Sequence, residues 1–161
     1  MAVRNLLSEN GIVFDAKPDA VPYNYRISYK ASQLCLILHK CSRRGCSLIK
    51  LHMISFALGS KNGMDKLRSF AESDNIANPV VLFDPAVNRA ITFAIADGFI
   101  GQQKNGNYKL TDKGKDLVAT IEQDEQLMVV EKQELSCLAK NLTEMKIDDL
   151  SETWRKTYAE D

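Results

Sequence analysis

The chain has 161 residues, 45% of them apolar and 26% charged, with 21 basic and 21 acidic side chains. That length suits one domain with a core of its own, and a formal charge of zero gives the whole molecule no electrostatic pull toward nucleic acid. Four cysteines are few for a disulfide scaffold, no run approaches the about 18 apolar residues of a membrane span, and MAVRNLLSENG lacks the apolar stretch of a secretion signal, so a reduced, cytoplasmic protein is expected.

The charge is unevenly placed. Between positions 40 and 68, seven bases face Asp65 alone, whereas from 122 to 161 eleven acids face five bases. The molecule is bipolar rather than neutral.

Residues 1–25 mix Leu6, Leu7, Ile12, Val13 and Phe14 with Asn10-Gly11, Pro18 and Pro22. Those breakers allow at most a short helix and a short extended piece, which reads as an arm lying on the domain. Ile27, Ala31, Leu34, Leu38 and Cys41 then recur at helical spacing, and Leu36 and Ile37 widen the stripe, so a central helix is expected. Ser42 to Gly45 is a turn. Ser47 caps a second helix that bears Leu48, Leu51, Ile54 and Leu58 and stops at Gly59. A third helix is predicted from Gly63 to about Asn75, with Met64, Leu67 and Phe70 or Ala71 inward. Asn78 to Phe83, headed by Pro79, reads as a short edge strand or an extended connection.

Phe83 to Gly114 is the most informative stretch. Asp84-Pro85 starts a helix, Val87, Ala90, Ile91, Ala94 and Ile95 keep helical spacing, and Gly98 supplies the left-handed residue that ends it, so 85–97 is a helix. Phe99 and Ile100 begin a strand, Asn105-Gly106 suits a tight primed turn, and Tyr108 to Leu110 returns as its partner. Thr111 or Asp112 caps the next helix, with Leu117, Val118 and Ile121 on one side. Helix, hairpin and helix at these lengths form the second half of a winged helix domain. The fold expected is therefore mostly α with a small β-hairpin: an arm over 1–25, a winged helix domain over 26–122 and a helical extension over 123–161.

In that extension Met128, Leu135, Leu138, Leu142 and Met145 fall near heptad a and d positions, too few for a coiled coil and enough for a helical pair packing on the domain or on another chain. A last helix sets Leu150, Trp154 and Tyr158 on one face. So short a helix must dock, on its own domain or on a partner.

Candidate chemistry is sparse. His39, Cys41, Cys46 and His52 lie within fourteen residues, but their intervals match no zinc finger and Cys41 sits on a helix stripe, so buried thiols are the better account. Asp148 and Asp149 belong to a solvated acidic face, and no phosphate loop or nucleophile elbow occurs. No catalytic residue, cofactor or metal is expected. A DNA-reading helix before the hairpin needs Arg, Lys, Asn or Gln outward. Here it offers Asn88, Arg89 and Thr92, while Ala86, Ala90, Phe93 and Ala96 make the rest apolar. That favours cover by protein, first by the arm or the C-terminal helices of the same chain and otherwise by a partner, for which Phe93, Trp154 and Tyr158 are the candidate contacts. The alternative is a DNA-binding regulator that touches phosphate through Arg43, Arg44 and the wing, where Lys104, Lys109, Lys113 and Lys115 lie.

In the runs SLIKLHMISFAL, FDPAVNRAITFAIADGFI and NGNYKLTDKGKDLV, the chain resembles the middle component of bacterial ABC-three-component systems, the group that includes Lamassu-type anti-phage defence. The resemblance covers about residues 25–122, with Phe83-Asp84-Pro85, Asn88-Arg89-Ala90 and Phe93-Ala94 its most specific part. It implies a small non-catalytic adaptor. That adaptor would join a structural-maintenance-of-chromosomes-like ATPase with long coiled coils to an effector, often a nuclease, and hold the effector silent until DNA is sensed. It brings no catalytic residues, no membrane association, and at most indirect or weak contact with DNA.

Overall fold

The computed structural model describes residues 7–8, 11–12, 26–73, 82–139 and 141–159. Among these the chain is mostly helical. Within the arm, β1 (Leu7–Ser8) pairs antiparallel with β2 (Gly11–Ile12), Leu7 opposite Ile12. The rest of residues 1–25 and the predicted extended stretch at 78–81 lie outside the described residues.

Helix α1 (Ile27–Cys41) is the axis of the fold. Leu34 to Leu38 are five consecutive residues no more than 1% exposed. A helix apolar all round must be surrounded, and α1 packs against every helix from α2 (Leu48–Ala57) through α6 (Val129–Leu138) except α3, and against one strand of the hairpin. Ser47 caps α2, its hydroxyl accepting from the Lys50 amide at 3.3 Å. Helix α3 (Lys61–Glu72) starts before Gly63, because Ser60 is its cap and accepts from the Gly63 amide at 3.0 Å. Gly63 instead serves close packing: a Cβ there would meet the Ala57 carbonyl oxygen at 2.9 Å. The helix closes at Glu72, and the predicted end near Asn75 is outside the described residues.

Helix α4 (Pro85–Ala96) begins as expected, the Asp84 carboxylate accepting from the Ala86 amide at 2.8 Å, and Gly98 follows it at φ 79°. Strands β3 (Ile100–Gln102) and β4 (Tyr108–Leu110) pair antiparallel, Ile100 opposite Leu110. Their turn is longer than the two-residue primed turn expected. Only Gly106 is left-handed (φ 85°), and a primed Asn-Gly turn needs Asn105 there as well. Instead the Gly106 amide donates to the Gln103 carbonyl at 3.0 Å and the Gln103 amide to the Asn107 carbonyl at 2.7 Å, giving a three-residue loop closed by a glycine bulge. The other edge of β4 is also used. Cys46, between α1 and α2, exchanges both backbone hydrogen bonds with Tyr108 at 2.8 Å each.

Helix α5 (Asp112–Gln123) is capped by Thr111, which accepts from the Gly114 amide at 3.1 Å, and it buries Val118 and Ile121. α6 and α7 (Glu144–Tyr158) pack on the same core, with Leu135, Leu138, Leu142, Ile147 and Leu150 each no more than 3% exposed. The heptad frame does not run through them. Met128 sits before α6 in the left-handed region (φ 50°), and Met145 is 72% exposed.

The two halves of the bipolar charge meet each other. Lys40 pairs with Glu122 at 2.7 Å, Arg68 with Glu134, and buried Lys50 lies 3.9 Å from Glu144 while donating to the Cys41 carbonyl at 3.1 Å. The Glu144 carboxylate also accepts from the Ser47 amide at 3.1 Å, and Tyr29 donates to Glu131. Three of the eleven acids from 122 to 161, Glu122, Glu134 and Glu144, thus face the basic segment of the same chain. Among the described residues no helix is long and apolar enough to cross a membrane.

Candidate functional site

The most specific sequence motif, Phe83-Asp84-Pro85 with Asn88, is organised around one buried side chain, His52 of α2. Its Nδ1 accepts from the Asp84 amide at 3.2 Å, so that nitrogen carries no proton and Nε2–H donates to the Asn88 side-chain oxygen at 3.0 Å. The Phe83 ring lies against the imidazole, centroids 4.9 Å apart. Beneath, Lys30 and Gln33 of α1 form a second buried layer, where Ser55 donates to the Gln33 oxygen at 2.8 Å and Lys30 approaches the same oxygen at 3.5 Å. Burial pulls the Lys30 ammonium below its usual pKa, and the Asp84 carboxylate works against that pull. Three helices are held in one geometry at the start of α4.

That anchor fixes which side of α4 faces out. Ala86 (8% exposed), expected on the outer stripe, is a core residue; Ala90 (0%), assigned to both stripes, belongs to the core one; and Ile95, expected inside, is 42% exposed. Phe93 is 38% exposed. The outward side therefore presents Phe93, Ile95 and Ala96 with Asn88, Arg89 and Thr92, and Arg89 is the one cation of the helix.

The other candidate contacts separate. Trp154 is half-buried against the core, so the last helix docks on its own domain, while Tyr158, one turn on, is 77% exposed. Of the six cations weighed as phosphate contacts, Arg43, Lys109 and Lys115 come together and Arg44, Lys104 and Lys113 stay outside their cavity. That cavity, about 430 Å³, is lined by Leu38, His39, Arg43, Lys109, Leu110 and Lys115. The bridge between Cys46 and Tyr108 places the turn that carries Arg43 beside the strand that carries Lys109. Gly45 in that turn has φ 130°, a backbone that a residue with a side chain rarely adopts, and it faces the movable end of the Gln103 side chain. Lys113 is engaged elsewhere, donating to the Asp97 carbonyl at 2.7 Å with its ammonium 4.8 Å from the Phe99 ring centre.

His39 is half-buried in this basic setting. Burial lowers its pKa, Arg43 and Lys40 lower it further, and Glu122 opposes them. Sequence reasoning had considered His39 only as a zinc ligand, because nothing local shows that β4 lies across from it. The four zinc candidates do not converge, and no group of three or more potential ligands occurs among the described residues. Burial raises Cys35 and Cys46 to about 12 and Cys41 to about 11, so these thiols behave as small apolar side chains.

A separate small cavity of about 190 Å³ lies between α2 and α3, walled by Met53, Phe56, Leu67 and Lys66, with Phe56 42% exposed. Comparison with protein-family models, with curated proteins and with solved structures finds no match for this chain.

Proposed function

We propose that this chain is a non-catalytic adaptor with a winged helix domain, joining a coiled-coil, structural-maintenance-of-chromosomes-like ATPase to an effector of nuclease type and restraining that effector until DNA is sensed. The winged helix reading is supported by the order α1, Cys46 bridge, α2, α3, α4, β3, β4, which has one helix more than that fold needs and in which Cys46 adds a one-residue third strand to the hairpin. The adaptor reading rests on one observation above others: Phe93 and Ile95 stay 38% and 42% exposed on the helix that would otherwise enter a DNA groove, beside a single arginine. A helix reading a duplex needs several donors there. Exposed aromatic residues are the usual anchors of protein contacts. The resemblance in FDPAVNRAITFAIADGFI supplies the partner classes. In a defence complex of this kind the subunit would work in the cytoplasm.

Co-expression with the products of the neighbouring genes, where this reading expects a coiled-coil ATPase and a nuclease, tests it. The wild-type chain should recover both, and Phe93→Glu should lose one while circular dichroism stays unchanged. Recovery of neither protein by the wild-type chain would reject the proposal. Tyr158→Ala is the second probe. Trp154 is a poor one, because its truncation also disturbs the core. The alternative, a DNA-binding regulator, is favoured only by the meeting of Arg43 and Lys109, and it requires duplex binding by the isolated chain with steep salt dependence.

A further inference from the structure

The cavity between the end of α1 and strand β4 has a composition that the adaptor reading does not use. Three cationic side chains and one imidazole reach it from four parts of the fold: His39 from α1, Arg43 from the turn after it, Lys109 from β4 and Lys115 from α5. No acidic residue lines it. Its apolar wall is Leu38, which is 1% exposed, and Leu110. Cations complement the carbonyl end of a helix, and that accounts for His39 and the neighbouring Lys40. It does not account for Lys109 and Lys115, which arrive from elsewhere.

The charges that could neutralise the cavity are committed or weakly held. Glu122 is taken by Lys40 at 2.7 Å, outside the cavity. Lys115 pairs only with Asp112 at 3.4 Å, where the carboxylate is fully exposed and the contact exchanges readily with water. Arg43 and Lys109 make no ion pair among the described residues.

We infer that this cavity is a binding site for a small phosphorylated ligand of about nucleotide size, with Arg43 and Lys109 as the principal phosphate contacts, His39 and Lys115 flanking them, and half-buried Leu110 as the surface for the ligand's ring. Its volume of about 430 Å³ falls in the range of roughly 300–1,000 Å³ typical of small-ligand sites. Arg43 supplies a planar fork that matches two phosphate oxygens, and the lysines supply point charges. A concave site with an apolar wall suits a ligand that enters it. Duplex DNA would find Arg44 and Lys104, the more outlying cations, easier to reach. The inference does not depend on the adaptor reading.

The test uses the full chain and ADP without magnesium, titrated by calorimetry, with inorganic phosphate, adenosine and a short duplex as separate arms. ADP should bind saturably, inorganic phosphate more weakly, and adenosine not at all. Arg43→Gln and Lys109→Gln should each weaken ADP about tenfold or more, as expected for loss of one charge-assisted hydrogen bond. Both positions are exposed, and circular dichroism checks that the variants fold. The chain has two histidines, so ring spectra supply a second readout. The His39 signal should move on adding ADP and its titration midpoint should rise, while buried His52 stays in place. Absence of saturable ADP binding at millimolar concentration, unchanged affinity in the double variant, or a duplex bound more tightly than ADP and lost in the same variants would each overturn the assignment.

Discussion

The chain's two histidines occupy opposite settings. At the start of α4, His52 is fully buried, with both ring nitrogens bonded, one to the Asp84 amide and one to Asn88. At the end of α1, His39 is half-buried among cations and makes no hydrogen bond among the described residues. One region has its polar groups bonded within its own chain, and the other gathers more bases than acids, its nearest carboxylates, Glu122 and Asp112, being paired with Lys40 and Lys115. The first is how a fold fixes geometry. The second is tolerated only where water, or a ligand, takes the place of the missing acid.

His52→Ala should break the comparison most strongly. It removes a buried ring and strands the Asp84 amide, so a loss of about 2–4 kcal/mol in urea unfolding is expected. A loss under about 0.5 kcal/mol would mean that α4 is anchored by other contacts. Gly45→Ala comes next. Its left-handed backbone predicts about 1–3 kcal/mol, and Arg43 should shift relative to Lys109, weakening ADP as well. Asn88→Ala leaves the His52 Nε2–H without its partner and should cost about 1 kcal/mol, since Asn88 sits at the solvent edge.

The basic region should respond to pH rather than to truncation. Arg43→Gln should leave stability within about 0.5 kcal/mol of wild type, as exposed substitutions do. It removes a charge that lowers His39, so the midpoint of that ring should rise toward its ordinary 6.5 in a proton-resonance titration. The sign for stability follows. With the folded midpoint below 6.5, the unfolded chain binds more protons in the interval between them, so His39 makes stability fall with acidification through that interval and contributes nothing above it. Lys40, Lys109, Lys115 and Glu122 share that field, and the Arg43 change should narrow the interval without abolishing it. The smallest effect concerns the thiols. In native protein only exposed Cys137 should react with a thiol reagent, and all four should react on unfolding.

Some of this organisation was legible before any coordinates. Local signals set α1, the Ser47 cap, Asp84-Pro85, Gly98 and Thr111, because each is decided by groups within four residues of one another. The same reasoning misjudged the hairpin turn, where Asn105-Gly106 admits more than one loop and the strand register chose the longer. It also misplaced Ala86 and Ile95 on α4 and left Ala90 on both sides, because a helix with apolar residues on two sides does not state which side has the larger partner. The pairing of His52 with Asn88 spans 36 residues, and no local pattern announces it.

Spacing and capping chemistry in the sequence alone determined how many helices form between Ile27 and Gln123, and where most of them start and stop. Tertiary structure decided what those elements meet. It closed the acidic C-terminal region onto the basic segment, turned His52 into the anchor of α4, and brought Arg43 and Lys109 around one cavity. The reason is range: a cap or a turn is settled by neighbours along the chain, whereas the partner of a buried ring or a surface charge depends on packing between segments tens of residues apart.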